Sequence, residues 1–469
     1  MIRTDKALTA DQLLERVGSV FDAAAPKIRA MDERYGPGDP TPVFTLDGRY
    51  TTRGWTEWTQ GFQFGCALLL FDGTGEEEFL RRGQVGTLER MATHVSHTGV
   101  HDHGFNNVST YGNLLRLMNE GRIPEDEWQR AFLELALKVS GAVQAARWTE
   151  LPDGLGFIQS FNGPHSLFAD TIRSCRALVV AHSLGHVLMG EQDAKINLLE
   201  RALRHMETTA RYNVFFGEGR DSYDIRGRVA HESIFNIRNG VYRCPNSQQG
   251  FSPFTTWTRG LSWVLTGMAE ELEFLETVPE AEFDGLVPEL FTDKSAAMAR
   301  FREVAEAVAD FHIENTPTDG IPYWDTGAPG LAKLGDYLNE PAKIDNPYEP
   351  VDSSAAAISA QGLLRLGQYL KKHGEAERGE RYWRAGLTSV ETLFSDDYLC
   401  ASPDHEGLIL HSVYHQPNGW DRIPEGMKVP AGESTMWGDY HAMELAVYIQ
   451  RVAHEKPYYT FSPGTPRSG

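Results

Sequence analysis

Apolar residues recur every three or four positions along most of this chain. Leu14, Val17, Phe21 and Ile28 fall on one face of a helix. So do Phe132, Leu135, Val139 and Val143, and later Met298, Phe301, Val304, Val308 and Phe311. The same period, bounded by Gly, Pro and Asn-rich breaks, predicts further helices near 57–71, 76–95, 106–119, 166–188, 193–213, 257–276, 353–373, 376–394 and 434–454. About twelve helices with few strands make the chain all-α, as bundles, an open solenoid or a closed ring of six helical hairpins. No sequence repeat of solenoid length is visible, which disfavours the solenoid. No linker divides the chain, so one domain is expected over 1–469, with its core at about 8–455 and a flexible tail at 456–469.

Two segments, 214–256 and 312–352, break the helical pattern and are rich in Gly, Pro and aromatics. Irregular stretches of that length inside a compact domain are usually functional. In a closed ring of hairpins, inner and outer helices alternate along the chain, so all inner helices point the same way. Their N-termini, and the loops before them, then gather at one mouth with partial positive charge, which suits an anionic ligand.

Composition narrows the setting. A chain of 469 residues with 41% hydrophobic residues can bury a large core. It has no run of the roughly 18 apolar residues a membrane span needs, and no apolar leader follows Met1. Cys66, Cys175, Cys244 and Cys400 lack paired metal-ligand spacing, which points to a cytoplasmic protein with reduced thiols. The net charge of -21 disfavours nucleic acid and anionic membranes as partners. A short anionic ligand held by one or two arginines fits that balance better.

Three predicted helix starts combine aromatics with glycine: Trp55, Trp58, Gly61, Phe62 and Phe64; Gln248, Gln249, Gly250 and Phe251 leading to Trp257, Arg259, Gly260 and Trp263; and Trp437, Gly438 and Tyr440. Glycine costs a helix roughly 1 kcal/mol against alanine, so these starts read either as platforms for sugar rings or as close packing inside the ring. Asp102 precedes one predicted helix and Asp170 begins another. Each alone is a cap or dipole partner, but together at one aromatic mouth the two carboxyls would raise one another's pKa. His97, His101, Asp102 and His103 offer metal-ligand spacing, yet no other local cluster supplies the remaining ligands, so no metal and no cofactor is expected. Acyl, phosphoryl and hydride transfer lack their motifs.

Taken in order, these segments resemble glycoside hydrolase family 88, the unsaturated glucuronyl hydrolases. The resemblance runs from Trp58-Thr59-Gln60-Gly61-Phe62 through His101-Asp102-His103-Gly104-Phe105, Ser160-Phe161-Asn162-Gly163 with Asp170, and Gln249-Gly250-Phe251. It continues with Trp257-Thr258-Arg259-Gly260 and Trp263, Ile321-Pro322-Tyr323-Trp324-Asp325, Asp352-Ser353-Ser354 and Met436-Trp437-Gly438-Asp439-Tyr440. His411-Ser412-Val413-Tyr414-His415 is also similar to a family loop. Phe161, His103 and Leu261 depart from the residues usual there, which bears on substrate choice.

The resemblance implies an (α/α)6 barrel and a glycosidase that removes the 4,5-unsaturated uronic acid from lyase-generated oligosaccharides. It implies Asp170 and Asp102 as catalytic residues and Trp58, Phe62, Phe161, His231, Gln249, Trp257, Arg259 and Trp263 as substrate-binding ones. Asp170 would protonate C4 of the C4=C5 vinyl ether, provided that Asp102 and nearby rings raise its pKa. Arg259, Gln249 and His231 would bind the uronate carboxylate or nearby hydroxyls, arginine suiting the carboxylate through two parallel hydrogen bonds. Related pectin- or ulvan-directed uronyl and rhamnogalacturonyl hydrolases, a sugar epimerase or isomerase, and a non-catalytic sugar-binding or scaffold barrel are the competing readings. The protein is expected as a monomer or homodimer.

Overall fold

A computed structural model describes residues 1–36, 38–54 and 58–461. Its helices are α1 (Leu14–Arg34), α2 (Gln60–Thr74), α3 (Glu77–Arg90), α4 (residues 103–119), α5 (Glu127–Ala146), α6 (Cys175–Ser183), α7 (Leu198–Tyr212), α8 (Thr258–Thr277), α9 (Lys294–Glu314), α10 (Ser353–Lys372), α11 (Ala376–Leu393) and α12 (Met436–Ala453). A five-residue helical turn, Ala92–Ser96, lies between α3 and α4. Within α4 a π-turn at Val108–Gly112 joins two α-helical pieces.

These helices form an (α/α)6 barrel. The inner wall is α2, α4, α6, α8, α10 and α12, each touching the next, and α12 closes the ring onto α2. The outer helices are α1, α3, α5, α7, α9 and α11. Inner helices approach closely because glycine removes the side chain at the contact. A Cβ on Gly61 would sit 2.3 Å from the Asn106 carbonyl oxygen, and one on Gly104 would sit 2.3 Å from that of Arg173. Gly61 and Gly104, each beside an aromatic residue, thus serve close packing in the wall.

The predicted helices correspond to observed ones, with three departures. The 76–95 segment breaks at Met91, between α3 and the short turn. The 166–188 segment is not one helix. Ser166–Phe168 is a strand paired antiparallel with Glu232–Phe235, Ala169–Ser174 is a 3-10 turn, and only Cys175–Ser183 is α-helical. The third departure is on α5. Phe132 and Leu135 are exposed, while Leu133, Ala136, Leu137, Ser140 and Gly141 face the wall. Close packing there selects small residues: a Cβ on Gly141 would meet that of Ala181 at 2.3 Å. Apolar bulk therefore marks the wrong face.

The tail is partly docked. Tyr459 and Phe461 are buried, and the Tyr459 hydroxyl donates to Glu444 at 3.0 Å. The flexibility expected for the rest concerns 462–469, outside the described residues, as is Trp55. No helix among the described residues is long and apolar enough to cross a membrane.

Candidate active site

The loops that enter the inner helices meet at one end of the barrel around a cavity of about 630 Å³. Trp58 comes from the entry to α2, and His101, Asp102 and Phe105 from the entry to α4. Phe161, Phe168 and Asp170 precede α6. Gln248, Gln249, Trp257, Arg259 and Trp263 belong to the entry and first turns of α8, and Tyr414, His415, Asn418 and Trp420 to the segment before α12. The mouth anticipated from ring geometry is the place where these residues converge.

On the cavity wall, His101 bridges two carboxylates far apart in sequence. Its Nε2 lies 2.9 Å from Asp170 Oδ2 and 3.6 Å from Asp102 Oδ1. Ligand-capable atoms of the three residues lie within 4.8 Å of one another. His97 and His103 stand apart from this group, since His103 Nε2 bonds the His97 carbonyl at 2.7 Å. The loop is fixed from behind. Arg147, at the end of α5, donates to the carbonyls of Thr98, Gln159 and Ser160, tying the Asp102 loop to the one bearing Phe161. The Ser174 hydroxyl donates to the His101 carbonyl.

Burial raises Asp102 to about 6; the neighbouring Asp170 charge adds to the rise and His101 opposes it. Burial also acts to raise Asp170, but the His101 hydrogen bond and charge, helped by His231, outweigh it and hold Asp170 below the usual carboxylate range. His101 is raised: burial disfavours its charge, and the two aspartates more than compensate. The expectation that Asp102 and apolar rings would raise Asp170 is not met. The histidine between them reverses it.

His231 is buried behind Asp170. Its Nδ1 accepts the backbone N–H of Gln248 at 3.0 Å and of Gln249 at 3.3 Å. That places its proton on Nε2, 3.8 Å from Asp170 Oδ1. Burial lowers it to about 4, so it stays neutral. It holds the Gln248–Gln249 turn and faces Asp170 across that gap. Glu232, next in the chain, accepts from Ser166, Asn162 and Asn246 and fixes the strand pairing around Asp170.

Arg259 is 1% exposed and its terminal nitrogens are engaged. Nη1 donates to Asp352 Oδ2 at 2.9 Å and to the Val413 carbonyl; Nη2 donates to Gln249 Oε1 at 2.9 Å and to the Tyr414 carbonyl at 2.7 Å. Its guanidinium lies 4.5 Å from the Trp257 ring centroid and 5.0 Å from that of Trp437. The forked grip on a uronate expected for Arg259 has no spare geometry, because the same donors hold the loops together. Phe62 is 0% exposed and packs on Trp58, Phe105 and Tyr440, so it supports the aromatic wall from behind without lining the cavity. Trp58 stacks on Trp437 with ring centroids 4.7 Å apart, and Phe161 lies nearly parallel to His101.

Sequence reasoning did not single out the His101 bridge, the Arg147 tie, or Asn418 and Trp420. Only a three-dimensional partner 69 positions away shows what His101 does. For Trp420, the family-like stretch at 411–415 marked the right segment but stopped short.

No family model matches the chain. It is 26% identical over 425 residues, 88% of its length and 92% of the relative's, to the unsaturated glucuronyl hydrolase of Bacillus sp. (strain GL1). It is 22% identical to the unsaturated chondroitin disaccharide hydrolase of Streptococcus pyogenes serotype M1, covering 94% of each chain. Among solved structures, unsaturated glucuronyl hydrolase from Bacillus sp. GL1, described as responsible for the degradation of glycosaminoglycan, superposes with a TM-score of 0.69. There the identity is 22%, over 97% of this chain and 99% of that one. The resemblance read from the motifs and the barrel read from the helices agree with these similarities.

Proposed function

We propose that this protein is an unsaturated uronyl hydrolase, releasing the 4,5-unsaturated uronic acid from the non-reducing end of lyase-generated oligosaccharides. The observation that carries the reading is the Asp102–His101–Asp170 group on the wall of an aromatic cavity of about 630 Å³. Relatives named for this activity support it. Trp58, Phe161, Trp257, Trp263 and Trp420 supply faces for the sugar, and Gln248, Gln249 and Asn418 supply polar contacts. The field of Arg259 favours the uronate without direct pairing.

The Asp170 carboxylate is hydrogen-bonded to His101, whose charged form the two aspartates favour against burial. A substrate that expels water disfavours this ion pair, because separated charges are costly in a dry cavity. The proton then moves from His101 to Asp170, giving the neutral acid. Asp170 delivers that proton to C4, and positive charge develops at C5 and the ring oxygen. Asp102, ionised above about pH 6, takes a proton from water as the oxygen adds to C5. The hemiketal opens by breaking the bond between C5 and the ring oxygen, leaving a ketone at C5. The hemiacetal then exposed at C1 collapses to an aldehyde and frees the aglycone as an alcohol. One water is consumed and no redox change occurs. An acid and a base so placed each contribute about 10²–10⁴-fold.

The test is a panel of unsaturated disaccharides that vary in linkage, sulfation and aglycone, with saturated analogues as controls. The enzyme should consume the near-ultraviolet absorbance of the double bond as it releases the aglycone. In heavy water it should place deuterium at C4 of the ring-opened product. Hydrolysis of saturated analogues at comparable rates would reject the reading. The unpaired cysteines fit a cytoplasmic enzyme acting on imported fragments, as a monomer or homodimer.

A further inference from the structure

The apolar stripe that periodicity marks on α5 faces away from the barrel. Trp128 is 88% exposed, Leu135 61% and Phe132 41%, and Val139 and Ala142 continue the line half-buried. These five residues are spaced four, three, four and three apart, the seven-residue repeat by which one helix packs along another. None of them is charged. The barrel takes the other face of α5, through Leu133, Ala136, Leu137, Ser140 and Gly141. A helix on the surface of a domain needs one apolar face, and this one carries two.

The stripe is the centre of a wider patch. The Phe132 ring packs on Tyr111 with centroids 5.9 Å apart, and the Tyr111 hydroxyl reaches the Thr87 carbonyl on α3 at 3.5 Å. Leu88, the next residue on α3, is 51% exposed. Toward α7, the short strand Leu188–Met189 packs on α5, and Met189 is 52% exposed. From Trp128 to Ala142 the stripe runs about 21 Å at 1.5 Å per residue. Exposed apolar residues on a monomer are normally scattered singly, and a continuous patch marks a contact surface.

Charge and shape both point to a second copy of this chain as what covers it. Two molecules of net charge -21 repel over most of their surface. Beside the stripe, however, the charges are paired within the helix. Arg130 donates to both Glu125 carboxylate oxygens at 2.6 and 2.7 Å and lies 3.8 Å from Glu134, which lies 3.6 Å from Lys138. The bulk of the stripe falls along its length, from Trp128 and Phe132 to Val139 and Ala142. Two copies laid antiparallel about a twofold axis near Leu135 therefore set the large end of each on the small end of the other. The acidic first turn, Asp126 and Glu127, then approaches the half that carries Lys138, and the helix dipoles oppose. A parallel pairing would instead set Trp128 on Trp128 and acid on acid.

We infer that this face is a homodimer interface, in which α5 packs antiparallel on α5 of a second copy, with Leu88 and Met189 at its margins. Arg147, at the C-terminal end of α5, stands at the cavity mouth, so the two mouths of the dimer open in opposite directions.

Sedimentation velocity on the full chain between about 1 and 100 µM tests the association. The wild type should pass from monomer to dimer within that range. Trp128→Glu and Leu135→Glu, each at an exposed position, should weaken association at least tenfold with unchanged circular dichroism and melting temperature. Cross-linking tests the register, in a Cys244→Ser background that removes the exposed native thiol. Leu135→Cys, beside the axis, should form a disulfide between two copies under a mild oxidant. Trp128→Cys, about 21 Å from its counterpart, should not. A wild type that stays monomeric at about 100 µM, or a dimer that survives both glutamate variants, would overturn the interface. Cross-linking of Trp128→Cys in preference to Leu135→Cys would overturn the antiparallel arrangement.

Discussion

At the scale of single residues, the proposed mechanism turns on how His101 divides protons between two carboxyls. Asp170→Asn keeps the shape of the side chain and can still accept a hydrogen bond from His101, but cannot pass on a proton. Its turnover should fall by roughly 10²–10⁴-fold with an unchanged circular dichroism spectrum and near-normal substrate affinity; near-normal kcat would remove Asp170 from the mechanism. The pH dependence follows from the same geometry. In that mechanism Asp102 is ionised to accept the proton of water, so kcat/KM should rise with pH through a value near 6, to which burial raises it. His101 must carry the proton it passes to Asp170. Activity should therefore fall again as pH climbs through the His101 pKa, which the aspartates hold above the usual histidine value. A profile flat between pH 5 and 7 would contradict this division of labour. The two aspartates were legible from their motifs, because each stands at a helix entrance in a recognisable setting. The inverted pKa order was not, because it depends on a histidine of one loop meeting the carboxylate of another.

At the scale of elements, the lesson is that loops carry the site and helix starts aim it. Asp352 caps α10: its Oδ1 accepts the N–H groups of Ser354 and Ala355, while Oδ2 takes the Arg259 guanidinium. Asp352→Ala removes the cap, worth about 0.5–2 kcal/mol, and leaves a buried arginine unpaired, which costs about 3–5 kcal/mol in comparable cases. The denaturant midpoint should drop accordingly, and KM should rise because Gln249 and the 413–414 carbonyls lose their common anchor. A loss of stability below about 1 kcal/mol would mean that Arg259 finds other partners. Helical periodicity made most of these elements legible, since an amphipathic stripe reports burial directly. It failed at Ser166–Phe168, where pairing with Glu232–Phe235 overrides a helix-compatible pattern. It also failed on α5, where Ala136, Ser140 and Gly141 pack inward and Phe132 and Leu135 point outward. Small residues at close helix contacts carry no apolar signal strong enough to compete with a bulkier stripe on the opposite side.

At the scale of the whole molecule, an enzyme with a net charge of -21 is proposed to bind an anion. The two facts act over different distances. Arg259 and Arg147 lie within or just behind the site, and their fields act at short range in a partly dry cavity, where salt screens them weakly. The remaining negative charge is spread over the surface and repels the approaching uronate across solvent, where a Debye length of about 10 Å at 0.1 M salt limits its reach. Raising ionic strength from about 10 to 150 mM should therefore increase kcat/KM, by less than about tenfold, while kcat at saturation stays nearly constant. The increase should be steeper for a sulfated substrate than for a neutral-aglycone one, because the repulsion scales with substrate charge. A fall in kcat/KM over that salt range would show that local attraction reaches beyond the mouth and that the arginines, rather than the acidic surface, govern encounter. Stopped-flow measurement of substrate capture at several salt concentrations separates the cases, since repulsion acts on the association rate and pocket contacts on dissociation.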